Sequence, residues 1–413
     1  MNFKSLGCSL RHRNFRLFFI GQTISLTGSW MQQIALSWVV YQMTGSSFLL
    51  GTVLFFGQIP FLFLPPFFGV LADRWNKRHV LFMTQSLAMI QAILLAGLSL
   101  AGALTVREIM ALSLALGITM AFDMPARQAF LSEMVAERND LANAIAMNAT
   151  MFNAAQIIGP ALAGIALAYT SASLCFSFNA LSFLAVLWSL AAMRLPPRNK
   201  RHIPDNIRTS LLQGIAYVRS SAPLRNILLL LCVSSLTGGA AYALLPEYTT
   251  RVLGGDARIL GWLGAARGLG ALFSALFLAS RRSVIGLGKW IVGGSGILGA
   301  GMFFLPFASH FVFGFTSFFM IGFGLIVHFA SSNTIIQTIA NDEKRGCVMG
   351  FHAMAVAGFA PLGSLLSGTV SSNMGFRPAL LTMACCSLMG SVAFLVYLPT
   401  FSKQVKAIYD EAL

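Results

Sequence analysis

Charge is what this chain has least of. Only 10% of its 413 residues are charged, and acids are the scarcer kind, 13 Asp and Glu against 28 Lys and Arg. With 56% of the residues hydrophobic, too little polar surface remains to dissolve a folded chain of this size, which excludes a soluble globular protein. Cysteine is also sparse. Cys175, Cys232, Cys385 and Cys386 fall inside apolar runs, Cys347 starts one and Cys8 lies in a basic arm, so the six read as reduced and structural rather than as metal ligands. There is no Walker loop, metal-ligand cluster or nucleophile constellation. Neither an enzyme nor an ATP-driven pump is expected, and no cofactor or metal. The first apolar run is far longer than the core of a cleavable signal, and its basic flank fits a retained first span.

What the chain does have is long apolar runs. They recur at Phe15–Tyr41, Ser47–Ala72, Val80–Ala103, Ile109–Phe122, Ala144–Tyr169, Ser171–Met193, Asn226–Tyr248, Ile259–Ala279, Lys289–Phe307, Phe311–Ile336, Val348–Val370 and Ala379–Pro399. A helix needs about 20 apolar residues to cross the ~30 Å hydrocarbon core, so these are twelve candidate spans, the fourth short unless it continues toward Pro125. The net charge of +15 has a topological explanation. With twelve spans and both termini on one side, that side receives all the basic residues except Arg107, Arg251, Arg258 and Arg377, which fall opposite, and Arg267, which lies within a span. The bias places both termini in the cytoplasm and argues against nucleic acid as a partner.

The longest polar interruption, Arg194–Arg225, carries seven basic residues and one acid, Asp205. Its second part, Ser210–Val218, spaces apolar residues like a helix lying on the membrane surface. The chain thus divides into an N-terminal bundle (1–193), a cytoplasmic linker (194–225) and a C-terminal bundle (226–413). The halves echo one another. Charged residues Glu133, Glu137, Arg138 and Asp140 lead into a fifth span carrying Gly159, Pro160 and Gly164. In the second half Asp342, Glu343, Lys344 and Arg345 lead into its counterpart, carrying Pro361. Duplicated six-helix halves are a recurring transporter design.

The loop between the second and third runs, Gly69-Val70-Leu71-Ala72-Asp73-Arg74-Trp75-Asn76-Lys77-Arg78, resembles motif A of the major facilitator superfamily, Gly-x-Leu-Ala-Asp-Arg-x-Gly-Arg-Arg. It departs at Asn76, which replaces the usual glycine but also tolerates a left-handed turn. Arg11–Phe18 with Thr27–Gln32, Asp123–Gln128 and Asp342–Gly346 are similar to the drug and siderophore exporter branch, which includes enterobactin exporters. Ala155-x-x-x-Gly159-Pro160-x-x-Ala163-Gly164 resembles the antiporter motif, with alanine at two of its glycines. The resemblance implies an all-α membrane protein of twelve transmembrane helices in two pseudo-symmetric six-helix bundles. Span four, Ile109–Phe122, has no charge, so proton coupling through an arginine there, as in related antiporters, lacks its residue.

Four groups of residues follow as site candidates. Gly69, Asp73, Arg74, Lys77 and Arg78 form a cytoplasmic latch, with the basic side chains pairing to Asp123 at the end of span four. Against it stands the plainer reading of a topology determinant, which would not require the acid. Glu247, Arg267 and His328 are coupling candidates, because ionisable groups in a bilayer are costly and mark ion pathways. Glu247 is read as a protonatable group tuned by Arg267, against a reading in which both reach the outer interface. Gln22, Ser25, Ser29, Gln32 and Gln33 on span one and Asn333 on span ten are cavity candidates, the resemblance implying that spans one, four, seven and ten line the cavity. For each, an ordinary interhelical hydrogen bond is the bland alternative. Gly159, Pro160, Gly164 and Pro361 are expected to form a paired hinge and seal. The function expected is proton-driven export of small amphipathic molecules, siderophores or hydrophobic drugs, from the cell inner membrane, by a monomer in contact with lipid, substrate and protons. A transporter of lysophospholipid-like molecules and a non-transporting membrane scaffold are the alternatives.

Overall fold

The computed structural model describes residues 8–64, 75–135, 138–194, 207–279, 286–341 and 344–412. Among them it is helical throughout, without strands. Among the described residues ten helices are long and apolar enough to cross a membrane. They begin with Lys77–Leu100 and end with a helix running from Phe376 into the C-terminal segment. The first span, Arg13–Thr44, is 32 residues long but is interrupted by Gln22, Thr23, Ser25, Thr27, Ser29, Gln32 and Gln33, which explains why it falls short on hydropathy. The second, Ser47–Phe63, is described only in its first part. Together these are the twelve segments expected.

Span four is longer than its apolar run suggests. It starts at Val106, where the Glu108 carboxylate accepts from the Thr105 amide at 3.0 Å, and runs through Pro125 to Met134. A proline interior to a helix removes one backbone hydrogen bond, and here the helix continues regardless. The surface helix expected in the linker spans Ile207–Ser220 and is followed after Ser221 by span seven, Ala222–Ala243.

Two spans are broken at proline. Span two stops at Gln58 and resumes at Pro60, and span eleven stops at Gly358 and resumes at Ala360, one residue before the buried Pro361. These two broken spans pack against each other along their length. Pro160, in contrast, sits inside one uninterrupted helix, Arg138–Tyr169. The symmetric hinge expected at Pro160 and Pro361 is therefore replaced by a break in span eleven that has its partner at Pro60.

By compactness the chain forms two units. The first contains residues 1–45, 64–203 and 255–265; the second contains 46–63, 204–254 and 266–413. The first part of span two thus belongs with the later spans, and the start of span eight with the earlier ones. In the first unit the core is Phe15, Phe18, Phe130, Val186, Leu190 and their neighbours; in the second it is Leu224, Ile227, Ile291, Ile336, Val348 and theirs.

Small residues allow the closest approach. A Cβ on Gly164 of span five would lie 2.8 Å from the Ala257 carbonyl and 2.9 Å from Gly261 Cα of span eight. Both obstacles are backbone, which cannot swing aside. A Cβ on Gly159 would meet Trp30 Cβ of span one at 2.5 Å. The antiporter-like glycines are therefore packing surfaces for spans eight and one. At the margin of the first unit where span one begins, Ser9 donates to Asn143 Oδ1 at 2.6 Å, and His12 Nε2 lies 2.9 Å from Asp140 Oδ2. Asn14 donates to the Arg194 carbonyl at 2.7 Å. The hydrogen bond from His12, then that from Cys8, holds the Asp140 carboxyl below the usual range. This tie is present at neutral pH and is lost as pH falls through that lowered value.

Overpacking a close-fitted site costs about 1–3 kcal/mol. Gly164→Leu is expected to lower the unfolding temperature of the purified protein in detergent, with Gly164→Ala intermediate. An unchanged temperature for the leucine variant would remove Gly164 from the span five and span eight contact.

Candidate functional site

Two buried carboxylates organise the polar chemistry. Asp123, on span four, has no exposed surface. Its Oδ1 accepts from Thr84 Oγ1 and Gln85 Nε2 of span three, both at 2.7 Å, and its Oδ2 is held by Arg127 one turn on, whose Nε lies at 2.8 Å. An unpaired charge at such depth costs about 3 kcal/mol on insertion scales, so the pairing is what allows the acid to be there. Lys77 reaches Glu133 Oε1 at 2.8 Å, and Arg78 donates to the Ala191 carbonyl at 2.8 Å. The expected pairing of Lys77 and Arg78 with Asp123 is therefore not what the structure brings together; Arg127, at helical i+4 spacing, takes that place. Trp75 packs edge-on against Phe122, at 5.8 Å between centroids, and so anchors the end of the loop on span four. Gly69, Asp73 and Arg74 lie outside the described residues.

Glu247 is the second. Span seven ends at Ala243; Pro246 then starts a short turn, and Tyr248–Val252 form one π turn closed by Leu253 N on the Tyr248 carbonyl at 3.2 Å. Single π turns inside helices are frequent at functional sites, because the extra residue re-aims the side chains around it. Glu247 is 2% exposed. Its Oε2 accepts from Ser371 Oγ of span eleven at 2.6 Å and from Ser47 Oγ at the start of span two, and its Oε1 lies 3.0 Å from Arg251. One carboxylate thus ties three spans of the second unit together at one end. The neighbouring Tyr248 is fully buried, donates to the Ala308 carbonyl at 2.6 Å and stacks on Phe376.

Arg267 does not meet Glu247. Its guanidinium lies over the Tyr242 ring at 5.3 Å, and among the described residues it forms no ion pair. The expected Glu247–Arg267 couple is replaced by Glu247–Arg251, a partner that i, i+4 spacing could have indicated. A desolvated cation over an aromatic face gains about 2 kcal/mol, which offsets part of the burial cost.

The cavity candidates divide. Gln32 is buried with both ends of its amide engaged: Nε2 donates to Gln91 Oε1 at 3.1 Å and Oε1 accepts from Asn179 Nδ2 at 2.8 Å. It is the middle of a chain across spans three, one and six, and the interhelical reading holds for it. Ser29 donates to the Ser25 carbonyl one turn back at 2.9 Å, and Gln22 and Ser25 are buried. Gln33 is half-buried, and Asn333 accepts from Gln337 on its own helix at 2.5 Å. His328 is fully buried in span ten. The sequence reading missed Ser47, Ser371, Gln91 and Asn179, because nothing local distinguishes a serine or amide facing another helix from one facing its own backbone.

A family model described as "Transmembrane secretion effector", a branch of the major facilitator superfamily, matches residues 5–409. The chain belongs to this family. The family assignment makes it a multi-pass membrane transporter and not an enzyme. The family member described here is similar to the staphyloferrin A transporter of Staphylococcus aureus, with 26% identity over 87% of this chain and 90% of that one. It is also similar to the multidrug efflux pump Tap of Mycolicibacterium fortuitum, with 23% identity over 90% and 92%. In fold it matches a mutant form of the nucleoside transporter NupG, with a TM-score of 0.73 and 14% identity over 95% of this chain and 99% of that one. That last likeness establishes the fold alone.

Asp123→Asn leaves Arg127 without its counter-charge. Breaking a fully buried pair costs about 3–5 kcal/mol, discounted here to roughly 2 kcal/mol because Arg127 keeps 20% of its side chain exposed. A lowered unfolding temperature is expected, and Gln32→Ala is expected to lower it without changing which compounds are transported. A changed transport profile in folded Gln32→Ala would return that residue to the substrate path.

Proposed function

We propose that this transporter is a proton-driven exporter of small amphipathic molecules, of the siderophore or hydrophobic-drug class, working by alternating access. It acts as a monomer in the cell inner membrane with both termini in the cytoplasm. The observation that carries this reading is Glu247. A carboxylate with 2% exposure, bonded by two serines from other spans and backed by Arg251, whose side chain is 58% exposed, has a route to outside water and a reason to respond to protons. Ionised, it accepts from Ser47, Ser371 and Arg251 at once, and so clamps the outer ends of spans two, seven and eleven. Protonated, it loses the attraction of Arg251 and part of its accepting capacity, and the clamp loosens. Acid outside therefore favours release of span two, the step that an exporter exchanging protons for cargo needs. The two relatives, a siderophore transporter and a multidrug pump, support the cargo class. Asp73 would serve as the corresponding latch on the cytoplasmic side.

The test uses a strain lacking the gene and the same strain carrying it, assayed for retained fluorescent dyes and siderophores with and without a protonophore. Gene-dependent export abolished by the protonophore is expected. Export indifferent to the protonophore would end the proton-driven reading, and no difference for any compound would favour a scaffold. Retained lysophospholipid in place of dye would shift the cargo class. In the same assay Glu247→Gln, which keeps the serine hydrogen bonds but cannot ionise, is expected to remove the dependence of efflux on outside pH. A pH profile like that of the parent chain would dismiss Glu247 as the responsive group.

A further inference from the structure

A second polar cluster lies deep in the second unit, away from Glu247. Four buried side-chain atoms there have no hydrogen-bond partner among the described residues: Ser234 Oγ of span seven, His328 Nε2 and Ser331 Oγ of span ten, and His352 Nε2 of span eleven. His328 and Ser234 are fully buried, Ser331 is 1% exposed and His352 7%. Helix register brings them within one or two turns of each other in depth. Spans seven and ten run antiparallel, with Gly238 against Leu325, and the His328 ring lies against the Leu230 carbonyl, one turn before Ser234. Spans seven and eleven run parallel, with Ser235 donating to the Val356 carbonyl at 2.6 Å, which sets His352 one turn inward of Ser235's level. The His352 ring in turn lies against the Phe329 carbonyl, the residue after His328. Ser331 stands one turn from His328 on the same helix.

Each orphaned polar atom in a dry interior costs about 1–3 kcal/mol, and leucine or phenylalanine in these places would cost nothing. Internal water, which takes about three hydrogen bonds from its surroundings, would satisfy such atoms. An imidazole nitrogen with no partner can accept a proton from water held beside it. Hydroxyls are weak ligands for a transition ion, so the set does not resemble a metal centre.

We propose that His328 and His352, bridged by internal water held by Ser234 and Ser331, form a shared binding site for one proton, the station at which a proton entering from outside is held before release to the cytoplasm. This rests on the proton-driven reading above and places the coupling proton at a named pair. His352 stands seven residues, about 10 Å, from the cytoplasmic start of its helix at Arg345, and release in that direction is the shorter path. The other titratable groups on the helices packed against His328 stand elsewhere. Arg225, Lys289, Cys347 and Lys403 lie toward the inner ends of spans seven, nine, eleven and twelve, Cys232 is a half-buried thiol on span seven, and Tyr242 stands farther out under Arg267. His352 is the titratable group that bears on the His328 ring. With no second charge beside them among the described residues, the pair takes one proton and not two, since two imidazolium ions would repel in a site without a counter-ion.

The test counts protons and needs no cargo. Purified full-length protein in detergent, weakly buffered, is taken from about pH 8 to pH 5 with an indicator dye, for the parent chain, His328→Gln, His352→Gln and the double variant. The parent is expected to bind about one proton per chain more than the double variant, and each single variant to match the double. Equal uptake by parent and double variant overturns the site, and a difference of two protons overturns the sharing. If either glutamine variant fails to fold, Ser234→Ala with Ser331→Ala is used; it is expected to move the uptake to lower pH, and an unmoved curve overturns the role of the water. A parallel efflux assay in liposomes with a fluorescent dye separates this from the reading it rests on. Dye export by the parent that ignores the proton gradient refutes the proton-driven reading while the proton count still judges the pair. Gradient-driven export undiminished in the folded double variant refutes the pair while leaving that reading in place.

Discussion

A polar group inside hydrocarbon has to find its partner within the protein, and much of this structure is organised around that requirement. Asp123, Glu247 and Gln32 are each buried away from water, and each is satisfied by side chains from a different helix. Asp123 fastens span four to span three, Gln32 fastens span one to spans three and six, and Glu247 fastens span seven to spans two and eleven. Apolar side chains cannot do this, since a leucine facing lipid is as well solvated as one facing another helix. In a chain this poor in charge, the few acids become the points that define which helices stay together.

The bonds differ in what they leave free to change. Asp123 is closed on both oxygens by neighbours in the same unit and has the character of a fixed tie. Glu247 bonds two spans that are themselves broken at proline, Pro60 and Pro361, and it stands beside a π turn. Broken helices and irregular turns are where backbone hydrogen bonds are already missing, so bending there costs less than elsewhere. The Glu247 carboxylate thus joins two helices that each have a weak point along their length. The close glycine contact between spans five and eight has no comparable weak point, because Pro160 leaves its helix continuous.

The twelve membrane segments, a helix in the linker and the membership of the transporter family were legible in the residues themselves. Runs of about 20 apolar residues and a one-sided distribution of Lys and Arg follow from the thickness and charge asymmetry of a bilayer, and both are written along the chain. The identity of the important acids was legible for the same reason, since a carboxylate in an apolar run is conspicuous. Their partners were not. Asp123 turned to Arg127 and span three in place of Lys77 and Arg78, and Glu247 turned to Arg251, Ser47 and Ser371 in place of Arg267.

The sequence by itself determined what is local: which stretches must cross the membrane, which charges are expensive, and where glycine and proline weaken or narrow a helix. Only the tertiary structure decided which of those features meet. Partners such as Glu247 and Ser47 are 200 residues apart in the chain, and which serine of a helix faces them depends on rotation and depth of packing. So does the grouping of Ser234, His328, Ser331 and His352 on neighbouring turns of three helices. Rotation and depth are set by the summed contacts of neighbouring helices, and no pattern along a single helix encodes them.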